Sequence, residues 1–225
     1  MASSGSDGGG LQSRSMEAQV PTGERLTAPA AERNKELLLT QLEKVLPDPS
    51  SKGRVLEVAS GTGQHISCFA SSLSHLTFTP TDCNDDAFGS IAAWCDTLPN
   101  VTPARILDCS SMNQWASLET PFDAVIVANM CHIAPLAATK GLIAGSGQVL
   151  KRGGVLAIYG PFTVSGSHTT QSNSDFDASL RAKNPEWGYR DIDLLKELGS
   201  EVGLRLATVT EMPANNFFLV FEKDE

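Results

Sequence analysis

The sequence has few positive charges. It contains 17 Lys and Arg against 26 Asp and Glu, which gives a formal net charge of −9. Long nucleic acids and anionic membranes attract proteins through basic surfaces, so this balance disfavours both as partners. A local basic patch is still compatible with it. We expect a small-molecule partner, with no nucleic acid and no membrane.

Long apolar runs are also missing. No run approaches the roughly 20 residues that a membrane-spanning helix needs, and the opening "MASSGSDGGG" has no apolar core of a secretion signal. A plastid transit peptide is rich in Ser and poor in acids, whereas this one carries Asp7, Glu17 and Glu24. We expect a cytoplasmic protein, with plastid targeting as the lesser alternative.

Closely spaced cysteines are absent as well. The five cysteines are odd in number and far apart, so no pair has the spacing of a zinc knuckle or a redox dithiol. Free cysteine behaves as a small apolar residue in reducing compartments. The sequence therefore predicts reduced cysteines and no metal site.

What the sequence does contain is an alternation of strands and helices. Residues 1–27 are rich in Gly and Ser and are predicted to be a disordered tail, so the expected single domain covers 28–225. A first amphipathic helix is predicted over 30–46. Predicted strands then cover 54–59, 76–82, 104–108, 122–130 and 155–160, and predicted helices between them cover 64–73, 87–98, 111–118 and 138–150. "KRGG" is interpreted as the turn before the fifth strand.

This alternation lapses after residue 160. Residues 161–190 are polar and predicted to be irregular apart from a short amphipathic piece at 175–182, and such an insertion is expected to lie over the site. A helix at 191–203 and a closing hairpin, 204–212 with 216–223, complete the pattern. The fold class is therefore α/β: a doubly wound, Rossmann-like, mostly parallel seven-stranded sheet with a C-terminal antiparallel hairpin.

Polar residues stand at the ends of the predicted strands, where ligands bind in this class of sheet. Asp82 follows Gly61 by 21 residues, a spacing that suits a carboxylate on ribose hydroxyls, and Asp108 would meet an adenine edge. The small residues at 59–63 let the backbone approach a ligand, and the following helix offers its positive end to a carboxylate or phosphate. Glu57 would suit an ammonium. The ligand that combines these four groups is S-adenosylmethionine.

Each of these residues also has a structural interpretation. The glycines can simply form a tight turn, and Asp108 can be an ordinary turn residue. The remaining structural interpretations are a helix-capping acid for Glu57, a packed strand end for Asn129 and His132, and plain surface for His168.

Six short motifs, in order, carry a family resemblance. They are "AAERNK", "SGTGQH", "YGPF", "SNSDFDASLR", "RD" and "MPANN". With them the sequence resembles the class I S-adenosylmethionine-dependent methyltransferases, and more narrowly the methyltransferase-like protein 26 family, from about residue 28 to the end. The resemblance implies S-adenosyl-L-methionine as cofactor, with binding residues Arg33, Asn34, Glu57, Ser60, Gly61, Gly63, Asp82, Asp108 and Asn129. Ala59 replaces a glycine that many methyltransferases have.

Methyl transfer to a hydroxyl or ammonium also needs a base that takes a proton. His132, just past the fourth strand, is the first candidate, and His168 in the insertion is the second, together with Asp175 and Asp177. The resemblance names no acceptor, and no motif indicates an oligomeric state.

Three rival functions are compatible with a similar sheet. An NAD(P)-dependent oxidoreductase would need G-x-G-x-x-G for its pyrophosphate, whereas this loop is A-S-G-T-G-Q-H. A non-catalytic S-adenosylmethionine-binding or adaptor protein would keep the fold without chemistry. A nucleic-acid methyltransferase would need a segment like "NPPY" after the fourth strand, where this chain has "NMCH".

Overall fold

The folded domain includes residues that precede residue 28. The computed structural model describes residues 20–22 and 25–224. Most of the predicted tail lies outside these residues, but Val20–Thr22 pairs with Arg25–Thr27 as a short antiparallel hairpin. Arg25 Nε donates to the carbonyl of Ala93, and its guanidinium lies 5.0 Å from the ring centroid of Trp94. Residues 25–27 are therefore part of the folded domain.

One seven-stranded sheet forms the centre of the fold. Its strands are β1 (Gly53–Val58), β2 (Leu76–Asp82), β3 (Arg105–Ile106), β4 (Phe122–Ala128), β5 (Leu150–Gly160), β6 (Leu204–Met212) and β7 (Asn216–Lys223). Their order across the sheet is β6-β7-β5-β4-β1-β2-β3, and only β7 runs antiparallel to its neighbours β5 and β6. The predicted fold class is confirmed.

Seven helices connect and cover these strands. They are α1 (Pro29–Leu42), α2 (Gln64–Ser72), α3 (Phe88–Cys95), α4 (Met112–Ala116), α5 (Leu136–Val149), α6 (Gln171–Lys183) and α7 (Ile192–Ser200). A further short parallel pair joins Phe162–Thr163 to Arg190–Asp191. Among the described residues, none of the helices has the length and apolar character needed to cross a membrane.

Both faces of the sheet are buried, which explains the nearly uninterrupted apolar strands. Neighbouring residues of one strand belong to different cores: Val55 packs with α1, α2 and α3, whereas Leu56 packs on the side of α4, α5 and α7. In β4, Ala124 and Ile126 share the first core, and alternate residues share the second. The sheet is therefore a rigid platform whose strand ends hold fixed positions.

Several predicted elements differ in extent from the observed ones, and three of these differences affect the architecture. β3 has two residues rather than five, because it pairs only with β2 and both its residues are exposed. Residues 151–154, predicted as a turn, lie within β5: Phe122 pairs with Leu150 and Ala124 with Val155, so they bulge opposite one residue of β4. The short piece predicted at 175–182 is the 13-residue helix α6.

Helix α6 forms in a polar stretch because its first turn is capped. Thr170 has extended backbone angles, and its side chain accepts a hydrogen bond from the Asn173 N–H, which satisfies one of the free donors of the first turn. Phe176 and Leu180, four residues apart, then place apolar side chains on one face, against Tyr189. A local cap and one apolar pair thus convert the predicted irregular insertion into a helix.

Helix α5 approaches the sheet's second core very closely. A Cβ atom added at Gly145 would stand 2.1 Å from the ring of the buried Trp115, and one at Gly141 would stand 1.9 Å from the carbonyl oxygen of Cys109. The Trp115 Nε1–H donates to that same carbonyl at 3.0 Å. Glycine is therefore required at both positions of α5 for steric reasons.

We expect Gly145→Ala to destabilise the protein by at least ~1–3 kcal/mol, because the added methyl group overpacks the Trp115 ring. Gly89→Ala is the matched control: Gly89 also lies in a helix, and nothing stands within 4 Å of its added Cβ. The control should be neutral or stabilising by up to ~1 kcal/mol, since alanine is the better helix former. Urea denaturation measures both values. Equal stabilities would contradict the packing argument.

Candidate active site

A cavity of about 770 Å³ opens at the carboxyl ends of β1, β2 and β4. It lies at the point where the strand order reverses, since the chain leaves β1 toward β2 on one side and returns to β4 on the other. Ligands bind at this switch point in open α/β sheets, and the volume falls in the usual range for small-molecule pockets. The cavity is therefore the candidate active site.

The loop after β1 forms one wall with three residues in left-handed backbone conformation. They are Ala59, Gly61 and Gly63, with φ of 56°, 54° and 90°. A Cβ at Gly63 would lie 2.8 Å from Cα of Ile91, so this glycine allows α3 to pack on the loop. A Cβ at Gly61 would meet nothing within 4 Å. Gly61 thus presents bare backbone to the cavity, whereas Gly63 has a packing role and does not line it.

Asp82 joins this loop to the end of β2. Its Oδ2 accepts a hydrogen bond from the Gly61 N–H at 3.0 Å, and its Oδ1 accepts one from the Cys83 N–H at 2.7 Å. The carboxylate is buried and lines the cavity. An ionised carboxylate is a pure acceptor with two oxygens, the chemistry that suits ligand hydroxyls. The two backbone bonds hold it in position for this.

Glu57 lies off the cavity wall. The residue is only 3% exposed. Among the described residues, its Oε2 has no hydrogen-bond partner. Burial above all, with a smaller effect from the negative charge of Asp82, raises the pKa of Glu57 to about 8. The carboxyl group is therefore mostly protonated at neutral pH. The structure places the expected ammonium partner behind the loop rather than in open contact with a ligand.

The segment containing Arg33 and Asn34 packs directly on the loop. Asn34 Oδ1 lies 2.6 Å from His65 Nε2, and the Gln64 Nε2–H donates to Glu32 at 2.8 Å. Arg33 lines the cavity, whereas Asn34 does not. Burial lowers the pKa of His65 to about 4, so its ring is neutral. Asn34 thus joins α1 to α2, and Arg33 is the side chain of this segment that faces the cavity.

Asp108 does not line the cavity either. Its Oδ1 accepts hydrogen bonds from the backbone N–H and the hydroxyl of Ser110, and its own N–H donates to Gln114. This is the arrangement of a turn that leads into a helix. The structure therefore places Asp108 in the turn before α4, and its expected contact with an adenine ring stays a prediction.

His132 and Asn129 stand at the other end of the cavity, after β4. Asn129 has φ of 56°, and its N–H donates to the carbonyl of Tyr159. His132 lies in a short 3₁₀ turn and is 6% exposed. Burial, with a smaller effect from the charge of Arg190, lowers the pKa of His132 to about 4. A neutral imidazole therefore faces the cavity at physiological pH.

His168, the second candidate base, lies outside the cavity. Its Nε2 stands 2.9 Å from Asp177 Oδ2, and Asp177 also accepts from the Tyr189 N–H and from Arg181. These contacts place His168 and Asp177 behind the wall that Tyr189 forms. Sequence reasoning missed Phe176 and Tyr189, which both line the cavity. Their signal was weak: two of the four aromatic residues in a mostly polar insertion.

The expected residues therefore divide into two groups. Those that line the cavity are Arg33, Ser60, Gly61, Asp82, Asn129 and His132. Those that do not are Asn34, Glu57, Gly63, Asp108 and His168. The residues of "MPANN" at 214–216 also line it, opposite the loop after β1.

Comparison with known families identifies the chain at this point. The model of the family described as "Protein of unknown function (DUF938)" matches residues 25–223. The chain belongs to this family. The match includes the hairpin strand at Arg25–Thr27, α1 and the whole seven-stranded sheet. The match is consistent with a methyltransferase-like family. It does not identify the chain as a member of the methyltransferase-like protein 26 family.

Solved structures similar to this DUF938 protein are class I methyltransferases. An O-methyltransferase family protein from Burkholderia thailandensis matches with a TM-score of 0.73 at 15% identity, over 87% of this chain and 58% of that one. Human N-acetylserotonin methyltransferase, solved in complex with SAM, matches with a TM-score of 0.67 at 14% identity, over 87% of this chain and 53% of that one. A putative sarcosine dimethylglycine methyltransferase from Galdieria sulphuraria matches with a TM-score of 0.67 at 15% identity, over 87% of both chains.

These likenesses show the fold. The chain spans only 58% and 53% of the lengths of the Burkholderia and human proteins, and all three identities are low. The fold of the chain is therefore methyltransferase-like.

The buried carboxyl group of Glu57 should make stability depend on pH. It ionises near 4.5 in the unfolded chain and near 8 in the folded one, so between these values the folded state holds a proton that the unfolded state releases. Stability should therefore fall as pH rises. We expect wild type to lose ~1.4 kcal/mol per pH unit relative to Glu57→Gln from about pH 5 to about pH 8.

Urea denaturation of both proteins at several pH values measures this difference. His65 and His132 remain in both proteins, so their opposite pH dependence cancels in the comparison. A difference that stays constant with pH would show that Glu57 is ionised in the folded state.

Proposed function

We propose that this DUF938 protein is an S-adenosylmethionine-dependent methyltransferase that acts on a small-molecule acceptor. The observation that carries the proposal is the Asp82 carboxylate, held by the Gly61 N–H at the switch point of a methyltransferase-like sheet. The same cavity extends to a neutral His132 after β4. A ribose-binding acid and a candidate base thus share one cavity.

The residues present fit this cofactor. Asp82 would accept from the two ribose hydroxyls, and the open backbone at Gly61 and Ser60 would lie along the methionine part. Arg33 is the cation on the wall for a carboxylate. Within the described part of the chain, the buried Oε2 of Glu57 has no hydrogen-bond partner, and a nearby ammonium would favour its ionised form. When bound, the cofactor supplies a methyl group on a positively charged sulfur.

The chain's own residues would orient the acceptor and remove its proton. His132 is neutral, so one ring nitrogen can accept a proton from an acceptor hydroxyl. The rings of Phe176 and Tyr189 stand beside it and exclude water from this end. Because methyl transfer needs alignment more than covalent catalysis, positioning of the acceptor by this wall is the larger contribution.

The proposal also covers the narrower family, the cellular setting and the class of acceptor. The six ordered motifs support membership of the methyltransferase-like protein 26 family, and free thiols at all five cysteines fit a reducing, cytoplasmic setting. The acidic net charge supports an acceptor that is neither nucleic acid nor membrane lipid. Helix α6 and residues 214–216 would enclose the acceptor.

Calorimetric titration with S-adenosylmethionine, S-adenosylhomocysteine and NAD tests the cofactor. We expect the first two to bind and NAD not to. Asp82→Asn should weaken binding by about 10- to 100-fold, because it loses charge-assisted hydrogen bonds. Asp85→Asn is the control, since Asp85 is exposed, follows the same strand and does not line the cavity.

The outcomes separate the rival functions. Binding of NAD alone would favour an oxidoreductase. If none of the three ligands binds, the protein is better explained as an adaptor. Equal losses in Asp82→Asn and Asp85→Asn would show that Asp82 does not contact the ligand.

His132→Gln should lower turnover by about 10²- to 10⁴-fold while leaving cofactor affinity unchanged, because it removes the proton acceptor but keeps a polar side chain. Release of S-adenosylhomocysteine together with formation of a methylated small molecule measures turnover. His75→Gln is the control, since the His75 ring contacts Pro47, far from the cavity. Unchanged turnover in His132→Gln would remove His132 from the mechanism.

A further inference from the structure

Three rings form the wall of the acceptor end of the cavity. The ring centroids are 6.1 Å apart for His132 and Phe176, 6.3 Å for His132 and Tyr189, and 6.2 Å for Phe176 and Tyr189. All three residues line the cavity. Tyr189 meets the other two rings edge to face, and the His132 and Phe176 rings are tilted by 56° to each other. At these distances the rings contact one another, which leaves no space for a ligand between them.

This arrangement differs from an aromatic cage. A cage holds an ammonium ion by placing rings on several sides of it, each within about 6 Å of the cation. Here the rings pack on each other and present one side to the cavity. A wall of this kind matches a flat, apolar ring system that lies against it, rather than a compact cation.

The charges around this end also disfavour a cation. Among the described residues, the carboxylates that line the cavity are Asp82 and Asp86, and both follow β2 at the other end. Asp177, the acid nearest the wall, already accepts hydrogen bonds from His168, Arg181 and the Tyr189 N–H. Among the described residues, no carboxylate lines the acceptor end of the cavity, where it could receive an ammonium group.

A buried positive charge lies behind the wall instead. Arg190 is 7% exposed, and its Nη2 donates to the carbonyl oxygens of Ala134 and Glu186. Neither acceptor carries a net charge, and Asp177 offsets only part of the charge of Arg190. A cation in a poorly solvated region repels an incoming ammonium and stabilises an oxygen that is losing its proton. The electrostatics therefore favour a hydroxyl acceptor over an amine.

We propose that the acceptor is an uncharged molecule with a flat ring system that carries a weakly acidic hydroxyl group, as in a phenol or an enol. This inference rests on the proposed methyltransferase function. In the reaction, the hydroxyl proton passes to a ring nitrogen of His132, and the acceptor oxygen bonds to the methyl carbon. The carbon–sulfur bond breaks with its electron pair left on sulfur, and His132 then releases the proton to water.

Matched probes test the acceptor class by binding, independently of turnover. 2-Naphthol and 2-naphthylmethylamine share one ring system, but the second carries an ammonium group at neutral pH. We expect 2-naphthol to bind at least about tenfold more tightly, both with and without S-adenosylhomocysteine, as measured by calorimetry. Equal affinities, tighter binding of the amine, or no saturable binding of 2-naphthol would overturn the proposal.

Phe176→Ala locates the probe. It should weaken 2-naphthol binding at least about tenfold and leave S-adenosylhomocysteine binding unchanged. Val164→Ala is the control, since Val164 is an exposed apolar residue of the same insertion and does not line the cavity. If Phe176→Ala does not fold, Phe176→Leu, which keeps the bulk and loses the ring, provides the same comparison. Unchanged 2-naphthol affinity in the folded variant would overturn the assignment.

The two proposals fail in different ways. Absence of S-adenosylhomocysteine binding to wild type would contradict the methyltransferase function, whatever the probes do. Normal binding of S-adenosylhomocysteine together with a preference for the amine would leave that function in place and overturn only the acceptor class.

Discussion

The hydrogen bond between the Gly61 N–H and the Asp82 carboxylate is the contact on which the candidate site depends. It joins the ends of two parallel strands, so the loop after β1 and the acid after β2 keep one relative position. The left-handed backbone at Ala59 and Gly61 turns this N–H toward the neighbouring strand. Gly63 then lets α3 pack on the loop, and Asn34 joins α1 to it through His65. The open side of the loop faces the cavity as a consequence.

Burial without counter-ions sets the electrostatics of this region. Glu57, His65 and His132 are all buried, and burial shifts the pKa of each toward its neutral form. The charges that remain include the carboxylate of Asp82, held by backbone donors, and the guanidinium of Arg190, held by carbonyl oxygens. Charges in such surroundings act more strongly than in water.

The insertion after β5 shows how a polar segment can build an apolar wall. One threonine cap and the apolar pair Phe176 and Leu180 favour the helix α6. Asp177, next to Phe176 in the same helix, accepts hydrogen bonds from Arg181, His168 and the Tyr189 backbone. Phe176 and Tyr189 are thereby held against His132. Most side chains of the segment face solvent, which is why its composition resembles that of a loop. Few residues carry the packing, and they lie far apart in the sequence.

The sequence by itself determined the order of the elements and the bounds of three strands, residues 76–82, 204–212 and 216–223, which are observed as predicted. Apolar periodicity and turn residues act locally, so a single sequence records them. The spacing of Gly61 and Asp82 also identified the pair that meets in the structure. Only the tertiary structure decided which strand-end acids face the cavity. Asp82 does, whereas Glu57 is buried and Asp108 closes a turn, because the direction of a side chain at a strand end depends on backbone angles and neighbours from other elements. The aromatic wall was decided at the same level, since its rings come from three separate segments that meet only when the sheet has formed.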